Sequence, residues 1–341
     1  MVTQAEWCAR LGCPFYAALM YRAADDVLAG GTVAEVLAGH EDDSGPSALT
    51  LRLFGEVHRI VLDGRAPALA RFYPSVGGAP DADAAWPTFL DVVRRHAAEL
   101  RAGLDQAPQT NEVGRAAALV GGLWRAVAAH PLPVRLAEMG ASGGLNLRAD
   151  AFRIAAFDGS SAGPADSPVV LRDAWQGRLP PPAELRIVER IGCDLAPVDP
   201  TTPAGRVRLM SYVWPEDRAR LDRLSGALDV AGRIPATVVR SSAADFVRPL
   251  ELRAGTVLVL WHSIMWQYLD GAERAAVTEH IARLGAAASE QAPFAHLAFE
   301  PRRLAPDAEH VYAVTLTTWP GGAEQFLGTA PPHGVPVTWE S

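Results

Sequence analysis

The chain contains no lysine: all 31 of its basic side chains are arginine. That absence removes Schiff-base catalysis, the phosphate-binding lysine of P-loops and the lysine-assisted serine nucleophile. Asparagine is almost as scarce, with Asn111 and Asn146 its only occurrences. Cys8, Cys13 and Cys193 are too few and too scattered for a disulfide framework or a structural zinc site, which needs paired spacings. A reduced, cytoplasmic setting and no bound metal are therefore expected. No run approaches the roughly eighteen uncharged apolar residues of a membrane span, and Met1 to Cys13 lacks the apolar core of a secretion signal. A net charge of -8 and a pI near 5.6 withhold the basic surface that nucleic acid or an anionic membrane requires. A small molecule is the partner this leaves.

What is present is a chain of 341 residues, 49% hydrophobic, enough for one large or two modest domains with real cores. From Glu6 to His130 the pattern is helical, with Tyr16, Leu19, Met20, Ala23 and Val27, and then Leu49, Leu53, Val57, Ile60 and Val61, recurring at three and four. Breaks at Gly30-Gly31, at Glu41 to Pro46 and at Tyr73 to Asp83 divide it into five or six helices. A further helix is expected from Asn111 to Ala129, capped by Thr110 or Asn111, with Glu112 in its first turn and Pro131 and Pro133 as its stop. Residues 1–108 form a helical N-terminal domain in this reading, and residues 109–341 a second domain.

After Pro133 the texture changes to short apolar runs: Val134 to Ala137, Leu185 to Val188, Ala236 to Val239, Val257 to Trp261, Phe294 to Phe299, Val311 to Thr317 and a last one from Val335 to Trp339. Strands alternating with crossovers predict an α/β domain with a mostly parallel sheet, closed by an antiparallel hairpin. Arg135 to Glu138 runs straight into Gly140, Gly143 and Gly144, a strand, a tight turn and a helix start in order. Glycines serve there because a missing Cβ lets backbone approach a ligand, while the next helix presents free N–H groups.

This turn resembles the first motif of class I S-adenosylmethionine (SAM) methyltransferases, with Glu138 in the acidic place and Ser142 where a glycine is usual. The same residues also spell Gly140-x-Ser142-x-Gly144, the nucleophile elbow of α/β-hydrolases, in which Ser142 attacks and a downstream His310 or His333 is the base. That elbow follows several strands, whereas here the first strand precedes it. A dinucleotide site wants glycine where Ser142 stands.

In a SAM domain the second strand ends in an acid that accepts hydrogen bonds from the ribose hydroxyls. Asp194 ends the Ile187 to Pro197 segment, far beyond the usual spacing of about twenty residues, which makes Phe152 to Ser167 an insertion. Asp158 has the standard spacing and competes for the role. Asp245, after Thr237 to Arg240, resembles the acid that meets the adenine amino group, or it belongs to a helix start. The Val257 to Trp261 strand delivers His262 and Ser263, with Gln267 and Tyr268 a turn further on. His262 is a general-base candidate because imidazole titrates near neutrality, or an ordinary core histidine. Glu300 ends the next strand at the same edge. Because the connection from His130 to Pro133 is short, the preceding helix runs back toward that edge. It aims Asn111, Glu112 and Arg115 at a polar substrate, or merely caps itself.

Thr110 to Arg115, Glu138 to Leu147, Arg190 to Asp199, Val213 to Leu221 and Trp261-His262-Ser263 together resemble one bacterial family, a domain of unknown function numbered 2332, over nearly the whole chain. The fold expected is α/β, a Rossmann-like SAM-methyltransferase-type mostly parallel sheet behind a helical N-terminal domain. SAM is the expected cofactor, held by Glu138, Gly140, Ser142, Gly143, Gly144, Asn146, Asp194 and Asp245. His262 and Glu300 stand as catalytic candidates, and Asn111, Glu112, Arg115, Ser263, Gln267 and Tyr268 as contacts to a small polar substrate. The chain lacks the Asn/Asp-Pro-Pro-Tyr loop of base-modifying amino methyltransferases. A serine hydrolase or acyltransferase using Ser142, and a SAM- or nucleotide-binding module without catalysis, are the alternatives.

Overall fold

A computed structural model describes residues 1–43, 48–305 and 307–340. The break expected over Glu41 to Pro46 runs into residues 44–47, outside the described ones. The chain divides into two compact units, Met1–Thr110 with Thr202–Asp222, and Asn111–Thr201 with Arg223–Ser341.

The first unit carries α1 (Val2–Arg10), α2 (Pro14–Leu28), α3 (Thr32–Leu37), α4 (Leu49–Leu62), α5 (Pro67–Ala70), α6 (Ala82–Arg95), α7 (Ala97–Leu104) and α9 (Pro203–Ser211). The apolar stripes expected on α2 and α4 face its core, with Tyr16, Leu19, Met20, Ala23, Leu53, Val57, Ile60 and Val61 all buried. The Tyr16 and Phe54 rings meet edge to face at 5.1 Å, and the Tyr16 hydroxyl donates to the Phe54 carbonyl at 2.9 Å. Residues 202–222, read from the sequence as part of the sheet domain, belong to this unit instead. The Glu216 carboxylate accepts from the amides of Phe15 and Tyr16 at 3.0 and 2.9 Å, satisfying donors at the start of α2, and Arg208 pairs with the buried Glu56. Partners so distant in sequence leave no periodic trace.

His58, fully buried on α4, donates from Nδ1 to the Ser211 carbonyl at 3.1 Å and accepts at Nε2 from the Ser75 hydroxyl at 2.8 Å. Burial pushes its imidazole down to about 4 from an ordinary 6.5. The unfolded chain takes up this proton first as pH falls, so the stability tied to neutral His58 is complete above 6.5 and is lost as pH falls through about 4. That amounts to roughly 3 kcal/mol. Urea titrations between these limits are expected to show a slope that a His58→Phe variant, weaker at neutral pH, shares only in part; an identical slope in both proteins would refute the assignment.

The second unit carries α8 (Ala116–Ala129), β1 (Val134–Met139), β2 (Arg153–Ala156), β3 (Ser161–Ala162), β4 (Val170–Gly177), β5 (Ile187–Asp194), β6 (Thr237–Arg240), α11 (Ala243–Val247), β7 (Val257–Ser263), α12 (Gly271–Ala287), β8 (Phe294–Arg303), β9 (His310–Trp319), β10 (Glu324–Ala330) and β11 (Val337–Trp339), while the unit boundary falls within α10 (Arg218–Ala231). One 11-stranded sheet has the order β3-β2-β4-β11-β10-β9-β8-β7-β1-β5-β6. Strands β6, β5, β1, β7 and β8 form a parallel block. Strands β8 to β11 follow as an antiparallel meander, and β11 is parallel to β4. The result is a mixed α/β architecture with a large, mostly parallel open sheet. Every residue of β1 is buried, as a central strand covered on both faces requires.

Three local expectations change. Strands β2, β3, β4 and β10 carry no clean alternation in sequence and were not foreseen. The helix start expected after the glycine turn is a 3-10 segment, Asn146–Ala151, interrupted at Arg148, and not the first turn of an α-helix. The helix expected from Asn111 begins only at Ala116, after a 3-10 turn over Val113–Arg115 whose first amides are met by the Glu112 carboxylate, which accepts from Gly114 N at 3.0 Å.

Candidate functional site

The carboxyl ends of β1, β5, β6, β7 and β8 share one edge of the sheet, and β1 is flanked by β5 and β6 on one side and by β7 and β8 on the other. Such a point, where strand order reverses, is where open parallel sheets leave a crevice. The turn after β1 is built from left-handed backbone: Gly140 at φ +68°, Ser142 at φ 52° and Gly144 at φ +65°. A Cβ on Gly140 would stand 3.1 Å from Met265 Cβ, and one on Gly144 would stand 2.7 Å from Val238, so neither position accepts a side chain.

Side chains from other elements hold this turn. Asp194, the last residue of β5, accepts from Ser142 N at 3.0 Å through Oδ2 and from Ala196 N at 2.9 Å through Oδ1. Asn111 Oδ1 accepts from Leu145 N at 3.0 Å, and Asn146 Nδ2 donates to the Glu112 carbonyl at 3.2 Å. Both asparagines of the chain thus serve one turn, and Asn111 caps it instead of the helix that follows. Arg115 donates to the carbonyls of Pro332 and Ser263 at 3.2 and 3.1 Å, tying the segment before α8 to the end of β7.

Glu138 lies one pair inside this edge and is buried. Its Oε1 accepts from the Trp261 indole at 3.1 Å, and its Oε2 is buried without a partner, as is Asn146 Oδ1. Burial pushes the Glu138 carboxyl up to about 8; the Trp261 hydrogen bond and the charges of Arg115 and Arg148 oppose this, and Asp194 adds to it.

On the opposite face of β7 and β8 stands a second polar group. His262 Nδ1 donates to Glu300 Oε1 at 2.8 Å, and His262 Nε2 lies 3.0 Å from His296 Nε2, with the two rings stacked. Burial and the neighbouring His262 push the His296 imidazole down to about 3. The His296 ring is therefore neutral. Ile264 adopts φ 48°, a left-handed conformation that a β-branched residue enters only under constraint. This kink turns the chain so that Met265 N and Trp266 N also donate to Glu300 Oε1, at 3.0 and 3.3 Å. Glu300 Oε2 is buried and has no partner. Both ring nitrogens of His262, read from the sequence as a general-base candidate or an ordinary core histidine, thus have a side-chain partner.

The family model described as "Uncharacterized protein conserved in bacteria (DUF2332)" matches residues 1–339. The chain belongs to this family. No curated protein and no solved structure matches it. The family's description names no activity, so the chemistry must be read from the geometry.

Of the residues singled out from the sequence, the fold brings Glu138, Gly140, Ser142, Gly143, Gly144, Asn146, Asp194, Asn111, Glu112 and Arg115 together around the turn. Asp158 is not among them. It sits in the hairpin between β2 and β3, on the far side of the sheet, with its carboxylate on Ser160, so Asp194 is the acid at the turn. Asp245 lies in the first turn of α11, exposed, paired with Arg248 at 3.0 Å, and its amide donates to the Ser242 hydroxyl. Ser263 contributes its carbonyl to Arg115, while Gln267 and Tyr268 are exposed beyond β7. His310 opens β9 opposite Arg303, and the His333 carbonyl faces Gly114.

His296, Ile264 and Trp261 were not read from the sequence as site residues. For His296 a signal existed: four residues before Glu300 on one strand, it must share that residue's face. Nothing in sequence marks Ile264. Among the described residues, no group of three or more histidine, cysteine, aspartate and glutamate side chains could hold a metal ion, and no helix is long and apolar enough to cross a membrane.

Proposed function

We propose that this protein is a SAM-dependent methyltransferase-like enzyme of Rossmann-like fold, acting on a small polar molecule. The observation that carries the reading is the left-handed turn after β1, held by the terminal carboxylate of β5 at the reversal point of the parallel block. In this reading Gly140, Ser142, Gly143 and Gly144 make room for the adenosyl group, Asp194 faces the ribose and Asp245 the adenine. The buried, unpartnered oxygens of Glu138 and Asn146 fit a ligand that brings hydrogen-bond donors. The missing crossover helix favours SAM over NAD or ATP. Pyrophosphate relies on a helix N-terminus, and SAM has no phosphate.

Methyl transfer is an in-line displacement, and SAM supplies the methyl group as a sulfonium. The chain's own task is to position the acceptor and receive its proton. Glu300 Oε2 is suited to the second part, since His262 and two backbone amides fix Oε1 and leave Oε2 uncommitted.

SAM and S-adenosylhomocysteine are expected to raise the melting temperature, by an amount equivalent to about 2.7 kcal/mol at a hundredfold excess over Kd, while NAD and ATP leave it unchanged. Silence from both adenosyl compounds would overturn the proposal. A hydrolase reading draws on the positive φ of Ser142, the kind of strain a nucleophile elbow stores, but that elbow opens an α-helix and this turn does not. Fluorophosphonate labelling that disappears in Ser142→Ala would favour the hydrolase.

A further inference from the structure

The surroundings of Glu138 point to a proton-coupled discrimination of ligand charge, an inference that rests on the function proposed above. Glu138 occupies the fifth position of a fully buried strand. A single donor, the Trp261 indole, satisfies Oε1, and nothing satisfies Oε2. Each neighbouring charge is engaged elsewhere. From the segment before α8, the Arg115 guanidinium is spread over two backbone carbonyls, and Glu112 is held by Gly114 N with Arg223 at 3.9 Å. From the segment after the turn, Arg148 donates to the carbonyls of Gly144 and Ile234. From β5, Asp194 holds Ser142 and Ala196 and brings further negative charge. On β7, Trp261 is uncharged, and His262 lies on the opposite face. Among the described residues no cationic nitrogen lies within ion-pairing distance of Glu138. A carboxylate so placed would be desolvated without compensation, whereas the neutral acid is tolerated there.

We propose that Glu138 is a neutral carboxylic acid in the ligand-free protein and gives up its proton to solvent when a cationic ligand docks at the glycine turn. The site thereby prefers a sulfonium over the corresponding thioether. A positive charge beside Oε2 supplies the compensation the protein withholds, and the ion pair forms at the expense of the O–H bond. Once the methyl group has left, the thioether carries one positive charge fewer, Glu138 takes a proton back, and the product is held less firmly. This couples turnover to release through a group that touches no acceptor.

The test compares SAM with S-adenosylhomocysteine on the full chain. Below about pH 8 the affinity for SAM is expected to rise up to tenfold per pH unit and then to level off, while that for S-adenosylhomocysteine changes little. Calorimetry in buffers of different ionisation enthalpy should show close to one proton released per SAM bound near neutrality, and none with the thioether. Glu138→Gln, the neutral isostere of the acid, is expected to fold, to bind SAM more weakly and to lose the pH dependence. Independently of any ligand, infrared difference spectra at neutral pH should contain a protonated-carboxyl band that Glu138→Gln removes. If both compounds bind with pH-independent affinity, if the dependence survives in Glu138→Gln, or if the band is missing, the coupling is wrong while SAM binding stands. If neither compound binds, the functional proposal falls and the coupling falls with it.

Discussion

Asp194→Ala is expected to lower the melting temperature and to abolish most binding at the glycine turn. The carboxylate meets two backbone amides, Ser142 N at 3.0 Å and Ala196 N at 2.9 Å. Hydrogen bonds to a charged group contribute about 1.5–3 kcal/mol each, and partial exposure of Asp194 places the combined loss at roughly 2–4 kcal/mol. Ser142 sits at φ 52°, a conformation that must be held from outside. Without Asp194 the turn relaxes, and an equivalent loss in affinity is about 30- to 1,000-fold. Asp194→Asn keeps one acceptor oxygen and should fall between the two. Thermal shift and calorimetric titration with SAM measure both effects, and an alanine variant that melts and binds like the parent would remove Asp194 from the site.

The largest effect on stability is expected in the first unit. Glu56 is buried on α4 and accepts from Arg59 Nε at 2.8 Å and from Arg208, while Arg59 reaches on to Glu99 at 2.6 Å and Glu99 to Arg65 at 2.5 Å. Removing the carboxylate takes from Arg208 the buried acid it pairs with, and from Arg59 one of three carboxylates, a change that costs about 3–5 kcal/mol. Glu56→Ala should therefore shift the urea midpoint strongly. Glu99→Ala, at 32% side-chain exposure, should shift it by about 1 kcal/mol or less. Equal effects of the two substitutions would show that burial does not govern this network.

How much could be read in advance differs by element. The strands at the centre of the parallel block were visible because each is a short apolar run, and a run buried on both faces needs no periodicity to be recognised. Their ends were legible unevenly: Asp194 could be read as the end of β5, whereas β8 runs past Glu300 to Arg303, because polar residues at a carboxyl edge look like loop. Strands β2 and β3, near one end of the sheet, are only four and two residues long, and β4 mixes exposed and buried positions irregularly, so no readable alternation announces them. Asn111 looked like a helix cap because an asparagine before a helical stretch has that local role open to it. The fold gives its side chain to Leu145 instead, a choice made by a packing partner 34 positions away.

The sequence by itself determined that this is a chain with two textures, helical before Pro133 and α/β after it, with a glycine turn closing the first strand and acids at the ends of later ones. Those are local properties, written in residue spacing and in the conformational needs of glycine. The tertiary structure decided which acid reaches the turn, that residues 202–222 join the first unit, that His262 is enclosed between Glu300 and His296, and that Glu138 is left with an unpartnered oxygen. Each of these depends on which distant groups share a small volume. Desolvation and pairing act across space, and a one-dimensional pattern of residue types does not encode that distance.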